Sequence, residues 1–142
     1  MIVPDVNLLV HAYNRESIVH AKARRWWEDL LNNEHQVGLA WVAILGFIRI
    51  TTNRQILDRP FTAAAACAHV RVWLDRPYVG VIHPGDRHAE VLFALLAALG
   101  TAANLTTDAH LAALATEHQA ELHSTDVDFA RFPGLRWRNP LV

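Results

Sequence analysis

Three acidic segments stand far apart in this sequence: "PDVN" with Asp5 and Asn7, "TTDAH" with Asp108, and "STDVDFARF" with Asp126 and Asp128. Carboxylates brought together repel one another and raise each other's pKa. A fold that gathers them needs a cation to offset that repulsion. Hard oxygen donors suit Mg²⁺ or Mn²⁺, which take a few carboxylates and keep several waters. A cation so held lowers the pKa of a bound water and orients it at a phosphodiester, and a pair of cations stabilises both attacking and leaving oxygens. The chemistry to expect is metal-assisted hydrolysis of a phosphate ester, with Asp5, Asp108, Asp126 and Asp128 as candidate ligands.

Each acid has a plainer reading when taken alone. Asp108 suits the first turn of a helix, where a negative charge complements the helix dipole. Asp126 and Asp128 are common turn and cap residues, and Asn7 could cap a following helix. Asp5 is harder to dismiss, because a charge directly after a buried strand is costly unless it is used. Together the plain readings lose ground, provided that the fold brings the segments to one place.

The elements needed for that are legible. "MIV" reads as a short strand ending at Pro4, which can give no ladder hydrogen bond. Ser17 is a good cap for a helix with Val19, Ala23, Trp26, Trp27 and Leu30 on one face, closed at Asn32 and Asn33. "VGLAW" (37–41) reads as a buried strand, followed by a helix over "VAILGFIRITTN". Thr62 caps an alanine-rich helix to Leu74, stopped before Pro77. "YVGVI" (78–82) is a third strand, and 86–99 an apolar helix closed by Gly100. Thr107 caps the next helix, "AELHS" is a fourth strand, and "LRW" (135–137) a candidate fifth. Strands alternating with helices predict a single α/β domain over 1–142, with a mostly parallel sheet of four to five strands covered on both faces. Ligands of such sheets sit beyond the carboxyl ends of the strands. Asp5 and Asp126 are predicted at two such ends.

Composition narrows the classes. The 142 residues are 52% hydrophobic and 19% charged, enough for a substantial core and unlike a disordered chain. No apolar run is long enough to span a bilayer, and Asp5 and Asn7 interrupt any secretory leader pattern. The single cysteine, Cys67, excludes an internal disulfide, fits a reducing cytoplasm, and reads as a small buried hydrophobe. The net charge of −1 does not advertise nucleic-acid binding, although all basic residues except Lys22 are arginines, which fork onto phosphates. The nine histidines show no zinc-helix spacing. His123 reads as a satisfied core histidine, and His110 as helix packing rather than substrate contact. The tryptophans read as core or interface anchors.

The opening "MIVPDVNLLVHAY", the segment "NLTTDAHLAALATEH" and the ending "HSTDVDFARFPGLRWRNPL" resemble a PIN-domain protein, and more closely the VapC-type toxins of bacterial toxin–antitoxin pairs. The resemblance covers nearly the whole chain in order and spacing. It implies a three-layer α/β/α sandwich, usually a homodimer, acting as a Mg²⁺- or Mn²⁺-dependent endoribonuclease. It places Asp5, Asp108 and Asp126 on the family's acidic metal positions and Asp128 on a more variable acid beside them. Asn7 and Thr125 match supporting polar positions. It also implies a VapB-type antitoxin that wraps the toxin and blocks the site. Under this resemblance Asp126 helps to hold the cation, and Phe129 packs the corner behind it.

One departure stands out. Where most of the family carries a glutamate in a pattern like "L-E-F-x-R", this chain reads "ILGFIRI", with Gly46 in that place. Glycine inside a helix costs about 1 kcal/mol relative to alanine. The expected reasons are close approach of RNA or a neighbouring backbone, or packing; the expected consequence is weaker metal binding or one metal fewer, with Asp128 partly compensating. Arg49 and Arg131 are candidate phosphate contacts. The alternative to a nuclease is a PIN-fold module that binds RNA or antitoxin without efficient cleavage. A phosphatase or receiver-type domain is set aside, since aspartyl-phosphate chemistry wants a nearby lysine and Lys22 lies on a polar helix face.

Overall fold

The computed structural model describes every residue of the chain except 102. Five strands form one sheet in the order β3-β2-β1-β4-β5: β1 (Ile2–Pro4), β2 (Val37–Ala40), β3 (Val79–Ile82), β4 (Glu121–His123) and β5 (Trp137–Arg138). All four neighbouring pairs are parallel. The helices are α1 (Val6–Tyr13), α2 (His20–Asn32), α3 (Trp41–Thr51), α4 (Ala63–Leu74), α5 (His88–Leu99) and α6 (Thr106–Glu117).

Alternation along the strands sorts side chains into two cores, one on each face. Val37 and Leu39 point into a core with Leu8, Leu9, Ile44, Phe47 and Trp73, built on α1 to α4. Val3, Ala40, Ile82 and Leu122 point the other way, against Ala109, Ala112 and Leu114 of α6 and against Phe129. A sheet with a helical core on each face is the three-layer arrangement the sequence predicts. The first core is rich in aromatics. Trp27 and Phe47 meet Trp73 at ring separations of 5.3 and 4.7 Å, edge to face, each pair adding about 0.5–1.5 kcal/mol beyond area burial.

The strand order has a switch point. From β1 the chain runs to β2 and β3 on one side, then returns through α5 and α6 to β4 on the other. The crevice beyond the carboxyl ends of β1 and β4 is where such sheets bind ligands. The ladder there continues to the last residue, with Asp5 N donating to His123 O at 2.9 Å.

Several local expectations shift. Asn7 lies inside α1, and Asp5 is the cap. Ser17 does not cap α2, which begins at His20; its hydroxyl is held by His11 Nδ1 at 2.8 Å and accepts from Val19 N in a preceding turn. Thr107 sits in the first turn of α6, and no side chain caps that helix. Cys67 is exposed, because Ala66, Val70 and Trp73 define the buried stripe of α4 and position 67 falls outside it. Thr62 does cap α4, accepting from Ala65 N at 3.1 Å, and Gly100 closes α5 with φ of 77°. Among the described residues no helix is long and apolar enough to cross a membrane.

Candidate active site at the sheet's switch point

Asp5 follows β1 directly and is only 7% exposed. Its Oδ1 accepts from Val6 N at 2.8 Å, satisfying a free donor at the start of α1. Its Oδ2 accepts from Ser124 Oγ at 2.8 Å. Burial pushes the Asp5 carboxyl up; the hydrogen bonds from Ser124 and Val6 oppose that, and the charge of Asp126 adds to it.

Ser124 follows β4 as Asp5 follows β1, and it is fully buried. Its hydroxyl donates to Asp5 while accepting from Asn7 Nδ2 at 3.2 Å and from Asp126 N at 3.0 Å. One donor and two acceptor sites are all that a serine hydroxyl has. Its backbone is held by β5, with Ser124 N donating to Arg138 O and Trp137 Nε1 donating to Ser124 O at 3.1 Å. The fifth strand therefore pins the residue that organises the site.

Asp126 caps the 3-10 helix Val127–Arg131, its Oδ1 accepting from Asp128 N at 2.9 Å. The turn-forming role of this acid is real, and it occupies one oxygen; Oδ2 has no hydrogen-bond partner among the described residues. Phe129 is fully buried behind the corner against Phe132, at 5.9 Å between rings. Thr125 is half-buried between Ser124 and Asp126.

Asp108 arrives from the opposite face of the sheet, in the first turn of α6. Its carboxyl is pushed up to about 6, chiefly by burial and then by the charges of Asp5, Asp126 and Asp128. The charges of Asp5, Asp126 and Asp128 thus all reach Asp108, and that of Asp126 reaches Asp5. Asn7 joins them through Ser124, and its Oδ1 is buried with no hydrogen-bond partner among the described residues. The side chains at this end of the sheet offer oxygen donors, the kind that suit a hard divalent cation. Among the described residues no three His, Cys, Asp or Glu side chains are grouped closely enough to hold a metal ion as they stand.

The candidate phosphate contacts are not brought in. Arg49, in the last turn of α3, and Arg131, at the end of the 3-10 helix, are both exposed, and among the described residues neither pairs with the acids. His110 packs against His88, Nδ1 to Nε2 at 2.9 Å, and His88 in turn pairs with Glu117. His123 is buried; Trp26 Nε1 donates to its Nδ1 at 3.1 Å, so Nε2 carries the proton and donates to Glu121. A cavity of about 630 Å³ lies elsewhere, beyond the far end of α1 between Tyr13, Arg15, Arg59 and Phe61, and none of the four acids lines it.

Sequence reasoning passed over Ser124 and Val6. The signal for Ser124 was its place, directly after a buried strand and next to an acid. For Val6 there was none, because its neighbour across the fold is a glycine with no side chain to read.

A PIN-domain family model matches residues 2–135. Ribonuclease VapC33 of Mycobacterium tuberculosis is 45% identical, with 99% of each chain covered. Ribonuclease VapC37 of the same organism is 43% identical, over 99% of this chain and 97% of that one. Among solved structures, VapBC2 from Rickettsia felis bound to a promoter DNA fragment superposes with a TM-score of 0.70 over 98% of each chain, at 17% identity. Mycobacterium tuberculosis VapC20, a Sarcin-Ricin loop cleaving toxin, gives 0.65 over 96% of this chain and 99% of that one, at 19% identity. Those two likenesses concern the fold; the relatives of higher identity concern descent. The chain belongs to the PIN-domain family, among its VapC-type ribonuclease toxins.

Proposed function

We propose that this protein is the ribonuclease toxin of a toxin–antitoxin pair, hydrolysing RNA phosphodiesters at the switch-point acids with the help of Mg²⁺ or Mn²⁺. The observation that carries this reading is the gathering of Asp5, Asp126 and Asp128 around Asp108: burial and then those three charges raise the Asp108 carboxyl, while burial and the charge of Asp126 raise Asp5. Such a cluster is electrostatically costly without a cation. Asp5, Asp108 and Asp126 would hold the ion, with Asp128 beside them and Asn7 supporting the site through Ser124 Oγ. When bound, the ion supplies a Lewis acid and a water of lowered pKa.

The chain's own residues prepare that chemistry. Asp5 is locked by Val6 N and Ser124 Oγ, so its carboxylate needs little reorganisation. Asp126 has one oxygen fixed on the amide of Asp128. Asp108 stands in the first turn of α6, and its elevated pKa makes its ionisation sensitive to a neighbouring cation. Arg49 and Arg131 remain candidates for phosphate contact, since exposed arginines can swing toward an RNA backbone. A VapB-type antitoxin is the proposed partner, and the cytoplasm the proposed location. A second copy is the proposed partner for the exposed apolar side chains Trp41 and Leu45 of α3 and Phe93 of α5.

Purified, antitoxin-free protein incubated with mixed cellular RNA tests the reading. Discrete fragments in Mg²⁺ or Mn²⁺, absent in EDTA and absent with Asp5→Asn, are expected. Folded protein that leaves a broad range of RNAs intact would instead support the non-cleaving binding module.

A further inference from the structure

Gly46 lies in the middle of α3 and is buried. A Cβ built there would stand 2.9 Å from Val6 Cγ2 and 3.4 Å from Val6 Cβ. The glycine therefore makes room for one particular side chain, and that side chain belongs to the residue after Asp5. Valine is branched at Cβ and holds one strongly preferred rotamer in a helix, so it cannot swing clear cheaply. Relief of the clash would have to come from moving the first turn of α1 or the middle of α3. The first turn of α1 contains Val6 N, the donor that fixes Asp5 Oδ1 at 2.8 Å.

We infer that Gly46 and Val6 are a matched pair of positioning residues: the glycine seats Val6 against α3, and that seating aims the Val6 amide at Asp5 and so sets the carboxylate's orientation. The inference rests on the proposed cation site for its consequence and on packing alone for its cause. It gives the departure at position 46 a different meaning from a lost ligand. Of the reasons expected for this glycine, it is packing that the contact supports: a side chain fills the space. A larger residue at 46 would disturb Asp5 whatever its charge.

Helix propensity would make Gly46→Ala stabilising if nothing else acted. The pair predicts otherwise, and a double-variant comparison isolates it. Mn²⁺ is titrated calorimetrically into wild type, Gly46→Ala, Val6→Ala and the double variant, and the Val6 amide resonance is recorded in each metal-free protein. Gly46→Ala should weaken Mn²⁺ binding roughly tenfold to a hundredfold, as loss of a supporting residue does, and should move the Val6 amide. Adding Val6→Ala to Gly46→Ala should recover most of the affinity. Wild-type affinity and an unmoved amide in Gly46→Ala would overturn the inference, as would a double variant no better than the single. If wild type itself binds no Mn²⁺, the cation site fails, and the Val6 amide alone still decides whether the pair positions Asp5.

Discussion

Ser124 Oγ donates to Asp5 Oδ2 at 2.8 Å across 119 positions of sequence. The bond exists because β1 and β4 are neighbours in the sheet and both end at the same crevice. It joins the buried acid at one strand end to the loop that carries Asp126 at the other. Ser124→Ala would strand Asp5 Oδ2, Asn7 Nδ2 and the amide of Asp126 at once. Leaving buried polar groups unpaired costs about 1–3 kcal/mol, so a urea midpoint corresponding to that loss is expected, with a larger fall in RNA cleavage. A midpoint unchanged from wild type would show that the hydroxyl is not the organising group.

Asp108 offers a test through pH. Its carboxyl rises from an ordinary 3.8 to about 6 in the folded protein. The folded state therefore binds more protons than the unfolded state between those values, and metal-free stability contributed by this group falls as pH rises through that window. Asp108→Asn lacks the charge. In EDTA the variant should gain on wild type between about pH 4 and pH 6, the window set by the two values, because titrations common to both proteins cancel in the difference. Urea unfolding at the two pH values measures it, and a constant difference would contradict the electrostatic picture.

Much of this arrangement was readable from residue order. The positions of Asp5, Asp108, Asp126 and Asp128 follow from strand ends and a helix start, and the alternating pattern was enough to predict the covered sheet. Helix starts were less legible: Ser17 and Thr107 are good capping types, but His11 claims the Ser17 hydroxyl and α6 begins without a side-chain cap. Cys67 was misplaced because an alanine-rich helix carries too little contrast to mark its buried stripe. The Val6–Gly46 contact was invisible for a deeper reason. It depends on how α1 and α3 pack, which no spacing within either helix encodes.

Glu117 distinguishes structure from chemistry in the histidine cluster. Its side chain is 9% exposed, pairs with His88, and accepts from Gly85 N at 3.0 Å, tying the entry of α5 to the end of α6. Glu117→Gln is expected to cost about 1–3 kcal/mol of stability while leaving the rate of RNA cleavage by folded protein unchanged. A normal denaturation midpoint with a reduced cleavage rate would place this cluster in the reaction.

The face of α5 tests assembly. Only Leu95 of this strongly apolar helix is buried, and Phe93 is 64% exposed. For a chain of 16.0 kDa, light scattering behind a sizing column is expected to give the dimer mass, and Phe93→Glu the monomer mass. A wild-type monomer at micromolar concentration would remove the second copy from the account.

The most direct test of the central claim is the rate of cleavage of one defined RNA as Mn²⁺ is raised from zero, for wild type and Asp126→Asn. The account predicts a wild-type rate that is negligible in EDTA and saturates with Mn²⁺. It predicts for Asp126→Asn a fall at least as large as the ten- to hundredfold that loss of a supporting residue typically costs. Cleavage that persists in EDTA, or an Asp126→Asn protein as fast as wild type, would contradict it.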